Sequence, residues 1–402
     1  METRERMRVG LFTNNYLPFR GGVTTAVETL REGLDALGHR AWVFAPAPAR
    51  PLPEPAFVFR YPSVPAPTYP GFALPLPLSP RLARTARELG LEIFHAQHPF
   101  LLGPAARRLA AKAGRPIVFT YHTRYEKYAH YVPLPERLVA ALAVRLSCRF
   151  ADATDLVVAP SASIGQVLVS RGVRAPVVVV PTGVDLDRFR PGERAAARRR
   201  LGLPPDAPIC LYVGRLDREK SVERIIEAFG SVAEAVSGAR LIVVGQGSHV
   251  GPLERRAAGS PAHERIHFLG GVPREELPPY YQAADLFLFA SETETQGLVL
   301  AEAHACGLPA VAVRASGVDE VIRDGETGLL TKGDAADLAD AAIGLLLDPA
   351  RRESMARSAR ACAETEFSAV RQVAVMAGHY LSLLGSRLSL LGNRRTSLER
   401  RR

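Results

Sequence analysis

The stretch Asp285 to Gly307, DLFLFASETETQGLVLAEAHACG, constrains this chain more than any other. An apolar run, DLFLFA, stops abruptly in polar residues, and Leu298, Val299, Ala301, Ala303 and Ala305 follow until Gly307 ends the pattern. That is a strand, a loop and a helix, the repeating unit of α/β proteins. Thr295 is the expected N-cap, so the amides of Gln296, Gly297 and Leu298 should point out of the helix start, where the dipole favours an anion such as phosphate. Glu294 stands just before that start and Glu302 lies eight residues on, inside the helix. The spacing suits gripping two parts of one long ligand, and equally suits two acids on a surface.

The same unit opens the chain. Arg8 to Thr13 is a short apolar strand, the loop NNYLPFRGG follows, and Val23 to Leu37 has helical spacing with Gly38 as its stop. At a strand's carboxyl end, Gly21 and Gly22 would let backbone amides approach a diphosphate closely; glycines in a tight turn are also the ordinary explanation. Ala41–Ala45, Ile93–Ala96, Ile117–Thr120, Leu156–Ala159 and Val177–Val180 read as further strands. Between residues 46 and 80 proline stands at twelve positions, so that stretch is expected to be a surface excursion with at most short strands. His122 lies at the carboxyl end of the Ile117–Thr120 strand, where open α/β sheets bind ligands. His95 and His98, in FHAQHPF, are candidates for acceptor contact.

A second domain is expected to begin near residue 181. The strand Ile209–Gly214 runs into RLDREKS, and Arg215 and Lys220 on a loop after a strand can clamp two phosphates, Arg by its planar fork and Lys as a point charge. Solvation of a charged loop is the plainer alternative. At 402 residues the chain is long enough for two cores. No apolar run approaches the roughly 20 residues of a membrane span. The first residues, METRERMRVG, lack the apolar segment of a secretory signal, which implies a cytoplasmic protein. The four cysteines are far apart and suggest neither a zinc pattern nor a disulfide framework.

Charge is unevenly placed. Residues 1–180 hold 22 Lys and Arg against 12 Asp and Glu, whereas residues 181–402 hold 29 of each. The first half is therefore expected to face something anionic, nucleic acid or a lipid surface. In PERLVAALAVRLSCRF (135–150), Arg137, Arg145 and Arg149 project within roughly 120° of each other and Leu138, Leu142, Leu146 and Phe150 form the adjoining stripe. Such a basic amphipathic helix fits an anionic membrane, and fits equally a surface helix with its leucines turned to the core. The nearby Tyr121, Tyr125, Tyr128 and Tyr131 suit a polar–apolar boundary.

Glu-x7-Glu within ETQGLVLAEA, followed by CGLP and ASGVDEVIRDGETGLL, closely resembles the nucleotide-sugar half of the retaining glycosyltransferases of family 4, and the likeness runs from about Val9 to Phe367. The resemblance implies the GT-B arrangement, two Rossmann-like α/β domains facing each other across a cleft. Residues 1–180 would bind the acceptor, residues 181–367 the nucleotide sugar, and residues 368–402 would pack back on the first domain. It makes GRLDREK the diphosphate clamp, through Arg215 and Lys220. VFTYHT becomes the segment whose His122 lies beside the transferred sugar, and Glu294 the group that holds the sugar hydroxyls. LIVVGQG and IHFLGGV, with Gly245 and Leu269, would face the nucleoside, and Glu302 the ribose. PTGVDLDRFRP resembles the interdomain hinge, so Asp185-Leu186-Asp187 is not a metal motif, and neither metal nor cofactor is expected. NNYLPFRGGVTTAV, FTYHTRYEKYAHY and SETETQG look most like the branch that glucosylates diacylglycerol. Expected partners are thus UDP-glucose, a lipid acceptor and an anionic membrane surface on the cytoplasmic side, not nucleic acid. Tyr125, Tyr128, Arg137, Arg145 and Arg149 would serve acceptor and membrane, and the arginine-rich tail after residue 386 would be disordered or a second anionic contact. A GDP-mannose-dependent mannosyltransferase acting on phosphatidylinositol, a sugar-nucleotide epimerase of the same fold and a silent binding module remain open.

Overall fold

A computed structural model describes residues 6–50, 53–66 and 72–399, with side chains through residue 386. The chain divides into two compact units, residues 1–183 with 369–402, and residues 184–368.

The first unit runs β1 (Arg8–Phe12), α1 (Gly22–Ala36), β2 (Arg40–Pro46), β3 (Val58–Tyr61), β4 (Ser63–Pro65), β5 (Ala73–Pro75), α2 (Pro80–Glu88), β6 (Ile93–Ala96), α3 (Leu102–Ala113), β7 (Ile117–Thr120), α4 (Glu136–Ala151), β8 (Leu156–Ala159), α5 (Ala162–Ser170) and β9 (Val177–Val179). The second runs α6 (Arg194–Leu201), β10 (Ile209–Val213), α7 (Val222–Ala235), β11 (Arg240–Val244), α8 (Val250–Ala258), β12 (Ile266–Phe268), α9 (Pro278–Ala283), β13 (Leu286–Phe289), α10 (Leu298–Ala305), β14 (Ala310–Val313), β15 (Gly328–Thr331), α11 (Ala335–Leu346) and α12 (Pro349–Glu366). The last helix, α13 (Ala369–Glu399), belongs to the first unit.

Both main sheets are parallel, and their central strands are apolar on both faces, as helix-covered parallel sheets require. β6, β7 and β8 are buried at every residue, as are β10, β13 and β14. Strand order is β3-β2-β1-β6-β7-β8-β9 in the first unit and β12-β11-β10-β13-β14-β15 in the second. The direction of winding reverses between β1 and β6 and between β10 and β13. At such a reversal the flanking loops diverge to opposite faces and leave a crevice beyond the strands' carboxyl ends.

The proline-rich excursion departs from expectation at one point. β4 and β5 form a separate antiparallel pair, but β3 joins the main sheet beside β2, with Val43 opposite Val58 and Tyr61 nearly inaccessible. An edge strand pairs on one side only, which is why a proline-dense region can supply it.

α13 completes the first unit's core. Val373, Met376, Ala377 and Tyr380 are buried in the cluster that contains Val9, Leu11, Val27 and Leu34. A Cβ at Gly33 of α1 would lie 2.6 Å from a Val373 methyl, so only glycine permits this approach. The LSLLGSR and LSLLGNR segments lie within α13. Of the expected anionic contact in the tail, residues 400–402 lie outside the described residues and Arg387, Arg394 and Arg395 outside the described side chains. Among the described residues, no helix is long and apolar enough to cross a membrane.

Candidate active site

In the second unit β10 and β13 are neighbours at the reversal, so the loops after them meet. Lys220, after β10, donates from Nζ to Oε1 of Glu294, after β13, at 2.5 Å. Burial pushes the Glu294 carboxyl up, but the Lys220 ammonium and hydrogen bonds from Lys220 and Ser291 more than offset it and hold the group below the usual carboxylate range. Arg215 donates to Asp217, and at 2.9 Å to Glu219. The other oxygen of Asp217 accepts from Ser248 N at 2.7 Å and Ser248 Oγ at 2.8 Å. Beneath them the Tyr212 hydroxyl donates to the Arg215 carbonyl at 3.0 Å. Two cations thus stand among three carboxylates, a denser acidic surround than a bare diphosphate clamp.

Backbone holds this layer together. A Cβ at Gly245, where φ is +155°, would lie 1.8 Å from the Gly214 carbonyl oxygen, and one at Gly247 would lie 2.2 Å from that of Leu216. The loops after β10 and β11 therefore touch main chain to main chain. Gly245 donates to Gly270 O at 2.8 Å and Leu269 to Val243 O at 3.0 Å, which extends the layer to β12; the Leu269 side chain is 44% exposed.

α10 begins later than its sequence suggests. Its N-cap is Gly297 rather than Thr295, with φ +76° and no side-chain cap. The chain turns through a left-handed residue that favours glycine, so Gln296 and Gly297 precede the helix and Leu298 is its first residue. Gly317, at φ +78°, packs directly on this turn: a Cβ there would lie 2.8 Å from Gln296 N. Glu302 also differs from expectation. It is 3% exposed, and its two oxygens accept from Arg274 Nε at 2.9 Å and the Tyr281 hydroxyl at 3.1 Å. Arg274, which also lies over the Phe189 ring, carries no local sequence signal because its partners are brought together by folding alone. Asp185 accepts from the amides of Asp187 and Arg188 and so caps its own turn.

In the first unit the loop after β1 carries Gly21, the N-cap of α1, and Gly22. A Cβ at Gly22 would meet nothing within 4 Å, so the protein's own packing does not demand glycine there. Beyond β6 and β7, His122 Nε2 and Gln97 Oε1 are 2.7 Å apart. Burial lowers His122 to about 4. His95 is fully buried, with Nδ1 2.6 Å from the Tyr380 hydroxyl and Nε2 2.7 Å from Thr120 Oγ1, and burial with the nearby His122 lowers it to about 3. His98 accepts from Asn14 N at 3.1 Å. His95 is thus engaged at both ring nitrogens inside the unit rather than offered to an acceptor, whereas His98 is engaged at Nδ1. HAQH and TYH follow strand alternation, so His95 and Gln97 share a face with Thr120 and His122; Gln97 was legible by that rule.

Along α4, Arg137, Arg145 and Arg149 are exposed, and Leu138, Leu142 and Leu146 are exposed by 64%, 52% and 42%. The leucines face outward. Phe150 does not belong to their stripe: it is buried edge-on against Phe119. Tyr121 is fully buried, and Tyr125 packs edge-on against Phe100 and Tyr121, so these two are packing residues; Tyr128 stacks on Tyr131 in the 3₁₀ turn Tyr125–Tyr131.

Two parallel Rossmann-like sheets, each with its loop cluster at a winding reversal, place the protein in the GT-B fold class. Residues 20–188 match Glycosyltransferase Family 4 and residues 193–361 match Glycosyl transferases group 1. The chain belongs to this family. It is 32% identical over 336 residues to the alpha-monoglucosyldiacylglycerol synthase of Acholeplasma laidlawii, across 80% of this chain and 84% of that one. It is 34% identical over 366 residues to a GDP-mannose-dependent alpha-(1-6)-phosphatidylinositol monomannoside mannosyltransferase of Mycolicibacterium smegmatis, across 87% and 92% respectively. The fold superposes on Anabaena HepE, whose structure was solved with UDP-glucose, at a TM-score of 0.76 and 21% identity over 94% of this chain and all of that one.

Proposed function

We propose that the protein transfers a hexose from a nucleoside diphosphate sugar, UDP-glucose, to a membrane lipid of the 1,2-diacylglycerol type, with retention at the sugar carbon and without a metal or cofactor. The observation that carries the lipid assignment is α4: three outward leucines beside exposed arginines form a basic amphipathic face that matches an anionic bilayer surface. The diacylglycerol glucosyltransferase relative supports the same acceptor.

The donor site follows from the strand-end cluster. With two cations against Asp217, Glu219 and Glu294, it gains from an arriving diphosphate only if partners are exchanged. Lys220 gives up Glu294 for a phosphate oxygen, and the released carboxylate takes the sugar hydroxyls, so binding and sugar orientation are coupled. Arg215, Lys220, the turn at Gln296–Leu298 and the Gly21–Gly22 loop stabilise the charge that grows on the departing diphosphate. Gly245, Leu269 and Glu302 serve the nucleoside, with Arg274 and Tyr281 fixing Glu302. No carboxylate is assigned as nucleophile. The acceptor attacks the face the diphosphate leaves, a phosphate oxygen takes its proton, and the neutral His122 lies beside the ring.

The mannosyltransferase relative supports a second reading, GDP-mannose as donor and a phosphatidylinositol-type acceptor. A donor-by-acceptor screen on anionic vesicles, with products identified by mass, separates the two. The expected product is glucosyl-diacylglycerol from UDP-glucose, formed undiminished in EDTA. Mannosylation of an inositol lipid instead would establish the second reading. Equal rates on a soluble sugar acceptor would remove the lipid assignment.

A further inference from the structure

Beyond β6 and β7 the polar side chains form two rungs on one face of the sheet. His95 Nε2 and Thr120 Oγ1 are 2.7 Å apart, and two residues further along both strands His122 Nε2 and Gln97 Oε1 are 2.7 Å apart. The strands pair in parallel with Ala96 opposite Phe119, so the rungs are one alternation apart. Tyr380 of α13 closes the inner rung on His95 Nδ1 at 2.6 Å. Gln97 is 2% exposed, and its main-chain amide donates to Phe12 O at 2.8 Å. Its Nε2 is buried with no partner among the described residues, and the residue lines a pocket with Thr120, His122, Thr182 and Gly183.

We propose that Gln97 is the positioning residue of the acceptor-side site: its Oε1 holds His122 as the neutral Nε2–H tautomer, and its Nε2 donates to a hydroxyl of the bound sugar or acceptor. An amide oxygen can only accept, so the nitrogen facing it must carry the proton, and the remaining imidazole nitrogen, Nδ1, is the acceptor. The carboxamide has two donors left, and a buried donor without a partner is costly unless a ligand or water meets it. The titratable groups facing His122 are His95 and His98, with Tyr380 behind His95. Both histidines are held neutral by burial, so the ring's charge is set by what stands at its own nitrogens. The inference rests on the role proposed for His122 in transfer.

The test has a spectroscopic and a kinetic arm. In the ¹⁵N-imidazole spectrum of the full-length protein, the resonance that disappears in His122→Asn should report the Nε2–H tautomer; an Nδ1–H tautomer overturns the proposal. Gln97→Glu keeps the shape but sets a carboxylate against Nε2–H, which favours imidazolium. The acidic limb of kcat/KM for UDP-glucose and diacylglycerol vesicles should then rise by a pH unit or more. Gln97→Leu should lower kcat/KM about tenfold or more without moving that limb. An unmoved limb in Gln97→Glu, or full activity in Gln97→Leu beside an inactive His122→Ala, overturns the positioning role alone. Full transfer by His122→Ala overturns the role of His122 itself, whatever its tautomer.

Discussion

The pair that most rewards attention at the scale of single residues is Lys220 and Glu294, whose side chains are only 12% and 17% exposed. Replacing Lys220 by Met leaves a mostly buried carboxylate without its cation, a loss of about 3 kcal/mol in denaturant unfolding. The pH dependence gives a second check. Because the folded pKa of Glu294 is depressed, its contribution to stability is complete above the unfolded glutamate value of about 4.3 and is lost as pH falls through the lower folded value. In Lys220→Met that acid-side loss should shrink, since only the Ser291 hydrogen bond and the Arg215 charge then oppose burial; an unchanged acid limb would mean that the pair contributes nothing. Lys220 and Glu294 were legible separately, each at the end of a strand, but not as partners. Their 74-residue separation is closed only by the winding reversal that makes β10 and β13 neighbours. Glu302 shows the opposite case, an acid whose apparent freedom in sequence is taken up by Arg274 and Tyr281 from elements that give no local hint of it.

Among the elements, α4 makes the clearest prediction. Helical spacing alone left its leucines facing either way, because a stripe has the same period whether it meets a core or a lipid surface. Their exposure decides it. Replacing Arg137, Arg145 and Arg149 together by Ala should weaken sedimentation with phosphatidylserine vesicles roughly a hundredfold, at about 1 kcal/mol per arginine. The melting temperature should hardly change, since exposed substitutions are usually within about 0.5 kcal/mol. Undiminished vesicle binding would exclude α4 as the contact. α10 teaches a different limit. Its existence and its end at Gly307 were plain from composition, but its start was placed two residues early, at Thr295. A threonine is a good cap in general, but here Gly317 presses on the turn and Gly297 supplies the left-handed conformation that side chains resist.

For the whole molecule, each unit carries its own core. One cluster is drawn entirely from residues 184–367, whereas of the first unit's two clusters the one around Val9, Leu11, Val27 and Leu34 includes Val373, Met376, Ala377 and Tyr380 from α13. Residues 184–368 expressed alone should give one cooperative calorimetric transition. A chain ending at residue 368 should lose the first unit's transition, because uncovering those four side chains costs roughly 5 kcal/mol or more, comparable to a domain's whole stability. Retention of both transitions would show that α13 is dispensable to the core. The amino-acid sequence by itself determined the α/β class, most of the strands and the strand-end positions of Arg215, Lys220 and Glu294, because short apolar runs, glycine stops and strand-end loops are local properties of the chain. Strand alternation puts Gln97 on the face of His122, but only the tertiary structure decided that the two are partners, which way the α4 leucines face, and that Glu302 is already held. Each depends on how residues distant in sequence pack, which local periodicity does not fix.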